Sequence, residues 1–402
     1  MSAEQAGPTR RATVINIALS SALLRTQRFA STRCAPCVVQ SRMSKRARED
    51  EAAPPEGGSR AGGVATVAHL GGVTSFTHLA AVAVFGGDGA VVFSPADTIA
   101  DGFGAVRAGS ADCGVVPIES SANGSFNSSL DELLRGGASS NLKIIGERVM
   151  MCEKLALCVV NGAREIDIDR VCAHPHILEV CSDYLRLLDT RRSAAGKPKL
   201  ERVPALDSVK SCAVAAEDPV GAGRVTAAIS NRETATRFGL QILCEHIGSD
   251  LNGSTRYIIV ANSSCDPLTK FPAATGLHGL GPRLRGSLAF GCANQPASIF
   301  KWSSAFAFRN INIIKVECRP STSLGLSLSA GYEVRNWDTV FLVDYEVPVE
   351  KESSDSLINS LREREFTTWM RDLGSYSSNF QDSRQAVKPN PIWQEVVDVM
   401  LA

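Results

Sequence analysis

Short apolar runs alternate with amphipathic ones from Val64 to Ala261, and that alternation predicts repeated strand–helix units. Val64 to Leu70 reads as a strand and Gly71-Gly72 as a turn. A helix follows, because Thr74 or Ser75 suits an N-cap and Phe76, Leu79, Ala80 and Ala83 fall at helical spacing. Ala90 to Phe93 is a second strand, and Ala96 to Ala108 a helix ended by Gly109. From Cys113 a buried strand runs into the hydroxyl-rich loop Glu119-Ser-Ser-Ala-Asn-Gly-Ser125, with Pro117 marking where the chain leaves the sheet. Leu142 to Val160 supplies further strand material. Val171 to Ala173 ends in His174-Pro175-His176 and an amphipathic helix, for which Pro175 suits the first turn. Thr226 to Ser230 is a strand and Asn231 to Phe238 a helix. Tyr257-Ile-Ile-Val260 is wholly apolar and reads as a buried strand of the parallel-sheet kind, with Thr255 and Arg256 at its mouth.

Beyond Asn262 the pattern changes. Residues 266–285 are Pro/Gly-rich and predict a linker. Strands over 287–292, 311–318 and 339–345 and helices over 299–309 and 356–373 then predict a small ferredoxin-like α+β domain.

Composition narrows the function classes. The 402 residues are 44% hydrophobic and 21% charged, enough for two or three packed domains. Lys+Arg and Asp+Glu are balanced at 42 each, so no bulk field favours nucleic acid or an anionic membrane, and no apolar run has spanning length. Residues 1–48 carry many arginines and Glu4 alone among acids, the composition of an organelle transit peptide. Residues 49–63 read as a disordered linker. The scattered cysteines, set among apolar neighbours, suit buried thiols rather than a disulfide framework. Cys34-x-x-Cys37 lacks a second pair, and His174 and His176 lack a nearby third ligand, so positioned polar side chains are expected there rather than metal. The Gly71-Gly72 turn before a helix suits an anion such as a carboxylate.

Several stretches, in order, carry a family resemblance. Val115-Val-Pro-Ile-Glu-Ser-Ser121 resembles the Val-Val-Pro-Ile-Glu-Asn-Ser signature of prephenate and arogenate dehydratases. Ala173-His-Pro-His-Ile-Leu178 with Cys181 is similar to their Ser-His-Pro-Gln-Ala-Leu and following Cys. Thr255-Arg256-Tyr257 resembles their Thr-Arg-Phe, and Gly71 to Ala81 their first Gly turn and helix. Val316 to Pro320 is similar to the Glu-Ser-Arg-Pro motif of the ACT regulatory domain, and Leu373 to Tyr376 to its closing motif.

The resemblance implies an α/β catalytic domain of two periplasmic-binding-protein-like lobes over 64–265, with the site in the cleft between them. It further implies an ACT domain over 286–377 and a tail over 378–402. The implied reaction removes water and carbon dioxide together from prephenate, giving phenylpyruvate, or from arogenate, giving phenylalanine, without a cofactor. By resemblance Thr255, Ser121 and Ser120 are the catalytic candidates. Gly71, Thr77, Glu119, His174, His176, Arg256 and Tyr257 are the substrate-binding ones. Ala297, Ser298, Ile299, Glu317, Cys318, Arg319 and Pro320 fall in the region that binds phenylalanine as effector, and such proteins form dimers or tetramers. The leader then implies plastid import, with mitochondrion or cytoplasm as the alternatives.

Inside these motifs the chain departs from the family. Ser120 stands for Asn, Ala173 for Ser, His176 for Gln and Val180 for Gln, while Ala297-Ser298-Ile299 replaces Gly-Ala-Leu. Each lost hydrogen-bonding group in a desolvated pocket costs about 1–3 kcal/mol. Two readings follow. One is an active dehydratase of phenylalanine synthesis; the other is a silent relative that binds an aromatic ligand or a partner. Convergence of Ser120, Ser121, Thr255 and His176 on one cleft separates them.

Overall fold

The computed structural model describes residues 64–86, 91–151, 154–217, 223–248, 253–271, 274, 284–324, 338–348, 351–363 and 367–378. The leader, the linker over 49–63, Cys34-x-x-Cys37 and the tail beyond Ser378 lie outside them. The first lobe is built on β1 (Ala65–Leu70), β2 (Val91–Ala96), β3 (Cys113–Ser120), β4 (Gly124–Ser125), β5 (Leu142–Met151) and, much later in the chain, β11 (Ser254–Asn262). Its strand order is β2-β1-β3-β11-β5, with β4 on β3. Helices α1 (Phe76–Phe85), α2 (Ile99–Ala108) and α3 (Asn127–Leu134) cover it. Thr98 and Asp101 form a reciprocal capping box that starts α2.

The second lobe is the segment inserted between β5 and β11. Its sheet runs β10-β6-β9-β7-β8, from β6 (Ala156–Val159), β7 (Arg170–Ala173), β8 (Glu201–Pro204), β9 (Thr226–Ser230) and β10 (Gln241–Glu245). Helices α4 (Pro175–Val180), α5 (Ser182–Ala194), α6 (Ser208–Glu217) and α7 (Arg232–Arg237) pack on it. Two chain crossings, after β5 and after β10, therefore join the lobes and leave a cleft between them. The lobes meet at the turn after β1. Asn231 and Thr234 donate to the Thr74 carbonyl at 2.9 Å, and Arg237 donates to that of Val73 at 2.8 Å.

β11 is not the parallel strand its composition predicts. It runs antiparallel to both neighbours, β3 and β5. The continuous apolar run reports burial on two faces, and a central antiparallel strand covered on both sides meets the same demand.

After the four-residue α8 (Pro267–Lys270), the C-terminal sheet runs β13-β14-β12-β15. These strands are β12 (Leu284–Cys292), β13 (Ile313–Pro320), β14 (Thr339–Glu346) and β15 (Thr367–Ser377), with α9 (Ser298–Ala307) and α10 (Lys351–Arg362) on one face. β12 thus begins at Leu284, inside the stretch predicted as linker over 266–285. The helix predicted over 356–373 stops at Arg362, and the chain returns as β15. The other face of the sheet shares one core with the first lobe, in which Leu342, Trp369 and Leu373 pack with Phe103, Leu130 and Leu134. The approach is close at Gly374 (φ +108°), where a Cβ would lie 2.7 Å from the Ile144 carbonyl oxygen of β5.

Candidate active site

Between the lobes lies a cleft of about 370 Å³, within the range of small-molecule sites. The first lobe contributes Ser75 and Thr77 from the start of α1, Pro117 and Ser120 from β3, Ser125 and Phe126 from the approach to α3, and Asn127 and Ser128 from its first turn. It also contributes Ser254, Thr255 and Tyr257 from β11. The second lobe contributes His174, His176, Ile177, Val180, Asp207 and Ser208, and the crossing segment contributes His246.

Strand alternation decides which motif residues arrive. Thr255 pairs with Ser120 across the β3–β11 ladder, so both present side chains to the same face, and that face is the cleft. Both residues are buried. Tyr257 lines the same cleft. Glu119 and Arg256, one residue away, point to the opposite face, and this overturns their expected role as substrate ligands. Arg256 is buried and donates to Glu147 at 2.7 Å, Asp344 at 2.7 Å, Glu119 at 3.3 Å and the Tyr376 hydroxyl at 2.9 Å. Burial opposes its charge, yet Asp344, Tyr376 and Glu147 together hold its pKa well above the ordinary value. Ser121 does not line the cleft. Its hydroxyl accepts the Ser254 N–H at 2.9 Å while its own N–H donates to the Ser254 carbonyl at 2.9 Å, a clamp on the start of β11. Ser120, Thr255 and His176 therefore converge, and Ser121 supports them from outside.

The Gly71 turn is also reassigned. The N–H groups of Gly71 and Ser75 donate to the carbonyls of Ala96 and Gly72, and that of Thr74 to His78 Nδ1, so they are engaged within the lobe. Gly71 (φ +75°) instead permits a close approach, because a Cβ there would lie 3.1 Å from Asp207 Oδ2. The buried Thr77 hydroxyl is the group that this turn delivers to the cleft.

His174 Nδ1 accepts the His176 N–H at 3.2 Å, capping α4, and His176 Nδ1 lies 3.2 Å from Asn123 Nδ2. Burial lowers the pKa of both rings, and His174 lowers that of His176 further. Both are neutral at physiological pH. With Nδ1 accepting, each neutral ring carries its proton on Nε2, a hydrogen-bond donor. No group of three potential metal ligands occurs among the described residues.

The C-terminal candidates divide by strand parity. Glu317 bonds the Ser125 hydroxyl, and Arg319 donates to both oxygens of Asp131 at 2.7 and 2.8 Å, so these two face the first lobe. Cys318 and Pro320 point outward. Ala297 holds φ +61° at the start of α9, the left-handed region where glycine is unstrained, and Ser298 donates to the carbonyls of Ala293 and Gln295. Ile299 is exposed.

The sequence reading missed Asn127, Asp207, Ser208 and His246. Asp207-Ser208 carried a signal, an acidic and a hydroxyl residue before a helix, but that signal reads as an ordinary N-cap.

A family profile described as prephenate dehydratase matches residues 67–265. Arogenate dehydratase 3, chloroplastic, of Arabidopsis thaliana is 31% identical over 287 residues, covering 70% of this chain and 60% of the relative. A bifunctional chorismate mutase/prephenate dehydratase of Aquifex aeolicus is 29% identical over 285 residues, covering 71% and 66%. The chain thus spans under two thirds of the length of the curated relatives it matches. The structure of prephenate dehydratase from Arthrobacter aurescens, in complex with L-Phe, superposes with a TM-score of 0.60 at 23% identity, covering 84% of this chain and 99% of that one.

Proposed function

Because the chain belongs to the prephenate dehydratase family, we propose that it is a decarboxylating dehydratase of phenylalanine biosynthesis, acting on prephenate or arogenate in the cleft between its lobes. The observation that carries this is the convergence of Thr255 and Ser120 with neutral His174 and His176 in one cleft. The reaction needs a held ring, a proton for the departing hydroxyl and freedom for carbon dioxide to leave. As carbon dioxide departs, the electron pair of its bond to the ring moves inward. The hydroxyl across the ring then leaves as water on taking a proton, and the aromatic product drives the step. Thr255 is the proton donor in this reading, with Ser120 beside it on the ladder. Thr77 and the His174 and His176 Nε2–H groups hold oxygens of the substrate, and Tyr257 with Phe126 and Ile177 supplies the apolar walls.

Phenylalanine as effector is supported by the relative solved with L-Phe and by the contact of Glu317 with the cleft loop. A plastid location is supported by the chloroplastic relatives and the arginine-rich leader composition.

The test is turnover by the full chain, following phenylpyruvate by ultraviolet absorbance and phenylalanine by chromatography. Thr255→Val, which keeps shape and removes the hydroxyl, should lower kcat by about 10²–10⁴-fold with the melting temperature held. A folded wild-type chain that binds either acid and turns over neither would instead be the silent relative.

A further inference from the structure

The charges that line the cleft are lopsided. Among its described lining residues there is no Lys or Arg, the two histidines at the start of α4 are neutral, and Asp207 is the one acidic side chain. The two family substrates differ at one carbon of the side chain. Prephenate carries a keto group there and is a dianion. Arogenate carries an ammonium and has one net negative charge.

Asp207 is placed to read that difference. One oxygen, Oδ1, accepts the Lys210 N–H at 2.7 Å and caps α6. The other, Oδ2, lies against the Gly71 turn, where the missing Cβ gives it room. The nearest lysine in sequence, Lys210, sends its Nζ to Asp97 at 2.9 Å, and the Asp207 charge acts on the His174 ring, raising a pKa that burial lowers. Its neighbour Ser208 lines the same cleft, is buried, and has a hydroxyl with no hydrogen-bond partner among the described residues. A buried hydroxyl with no partner inside a binding cleft marks a place where a ligand group completes the bonding.

We propose that Asp207, with Ser208 beside it, receives the ammonium of an amino-acid side chain, so that the cleft selects arogenate over prephenate. The inference rests on the dehydratase reading and specifies its substrate. A carboxylate attracts the ammonium in a low-dielectric cleft, whereas against a keto oxygen and a second uncompensated negative charge it repels. The specificity element is thus as much the repulsion of one acid as the attraction of the other.

The test is kcat/KM of the full chain for each acid separately, in wild type and in Asp207→Asn and Asp207→Ser. Asn and Ser both keep a capping acceptor for α6, so a loss of fold does not masquerade as a loss of selectivity. Wild type should favour arogenate, and both variants should shrink the arogenate-to-prephenate ratio by about ten- to a hundredfold, mainly through KM for arogenate. A wild-type preference for prephenate, or a ratio unmoved in both variants while they stay folded, would overturn the assignment and leave the dehydratase reading standing. Absence of turnover with both acids would remove the dehydratase reading and this one with it.

Discussion

The two faces of the β3–β11 ladder are made of adjacent residues and do opposite work. Toward the cleft stand Ser120, Thr255 and Tyr257, small hydroxyls and a ring, with neutral histidines across from them. Toward the C-terminal domain stand Glu119 and Arg256, tied to Glu147, Asp344, Tyr376 and Lys315. One face presents no charged side chain to the cleft. The other binds two domains through a buried ionic knot. Successive strand residues point to opposite sides, so a three-residue motif can supply a cleft-lining hydroxyl and a domain anchor at once. Any shift of the C-terminal sheet that Arg256 feels is one peptide bond from Thr255.

The comparison breaks most sharply at Arg256. Replacing it with Leu leaves Glu147 and Asp344 buried, with Arg285 as their nearest remaining cation at 3.3 and 3.8 Å. Removing one partner of a buried ionic cluster costs about 3–5 kcal/mol. Urea unfolding of Arg256→Leu should show that loss, while Thr255→Val, facing the other way, should unfold within about 1 kcal/mol of wild type, as an isosteric change outside the knot does. The reverse result, a stable Arg256→Leu chain that has lost ligand binding alone, would return Arg256 to the cleft.

Much of this division was legible in the sequence and the rest was hidden for identifiable reasons. The strand–helix grammar of 64–261 located both lobes, and the ordered motifs located Thr255, Ser120, Thr77 and the two histidines. What the motifs lacked was direction. Arg256 and Glu119 look like ligands beside Thr255 and Ser120 until the strand is built, and then period-two geometry sends them away. Asp344, which Arg256 holds, lies 88 positions along, in an apolar strand where a carboxylate has no local explanation. The missed strand β15 has a similar cause. Trp369, Met370 and Leu373 satisfy helical spacing as readily as strand spacing, and only the Gly374 approach to Ile144 reveals which was meant.

Acid supplies the next test, because it charges a neutral ring buried in the same sheet. His69, at the end of β1, is buried with both ring nitrogens unpartnered among the described residues, its centroid 4.8 Å from that of His78. Burial and then His78 lower its pKa to about 4. The unfolded chain, with an ordinary histidine pKa near 6.5, binds the proton more readily than the folded one. Stability from the neutral ring is therefore complete above about pH 6.5 and is lost as the pH falls toward 4, by roughly 2–3 kcal/mol. His69→Leu should flatten that part of the stability profile between pH 7 and 5. A wild-type slope that persists unchanged in the variant would assign the effect to other groups.

The smallest effect should come from the exposed edge of the charged side, where β13 lays alternate residues on the first lobe. Lys315 meets Glu119 at 2.8 Å, Glu317 meets Ser125, and Arg319 grips Asp131 with two bonds. All three rungs hold the segment that runs from β3 through the cleft loop into α3, and Ser125 is itself a cleft residue. A partly exposed ion pair contributes at most about 1 kcal/mol to folding, so Arg319→Ala should barely move the urea midpoint. Its consequence belongs to binding. With one rung gone the loop bearing Ser125, Phe126 and Asn127 samples more positions, and KM should rise about two- to fivefold at nearly constant kcat, the pattern of lost uniform binding. Exchanging the charges, Arg319→Asp with Asp131→Arg, should restore KM, since the pair and not either residue holds the loop. An unchanged KM in Arg319→Ala would confine the coupling between C-terminal domain and cleft to the buried knot at Arg256.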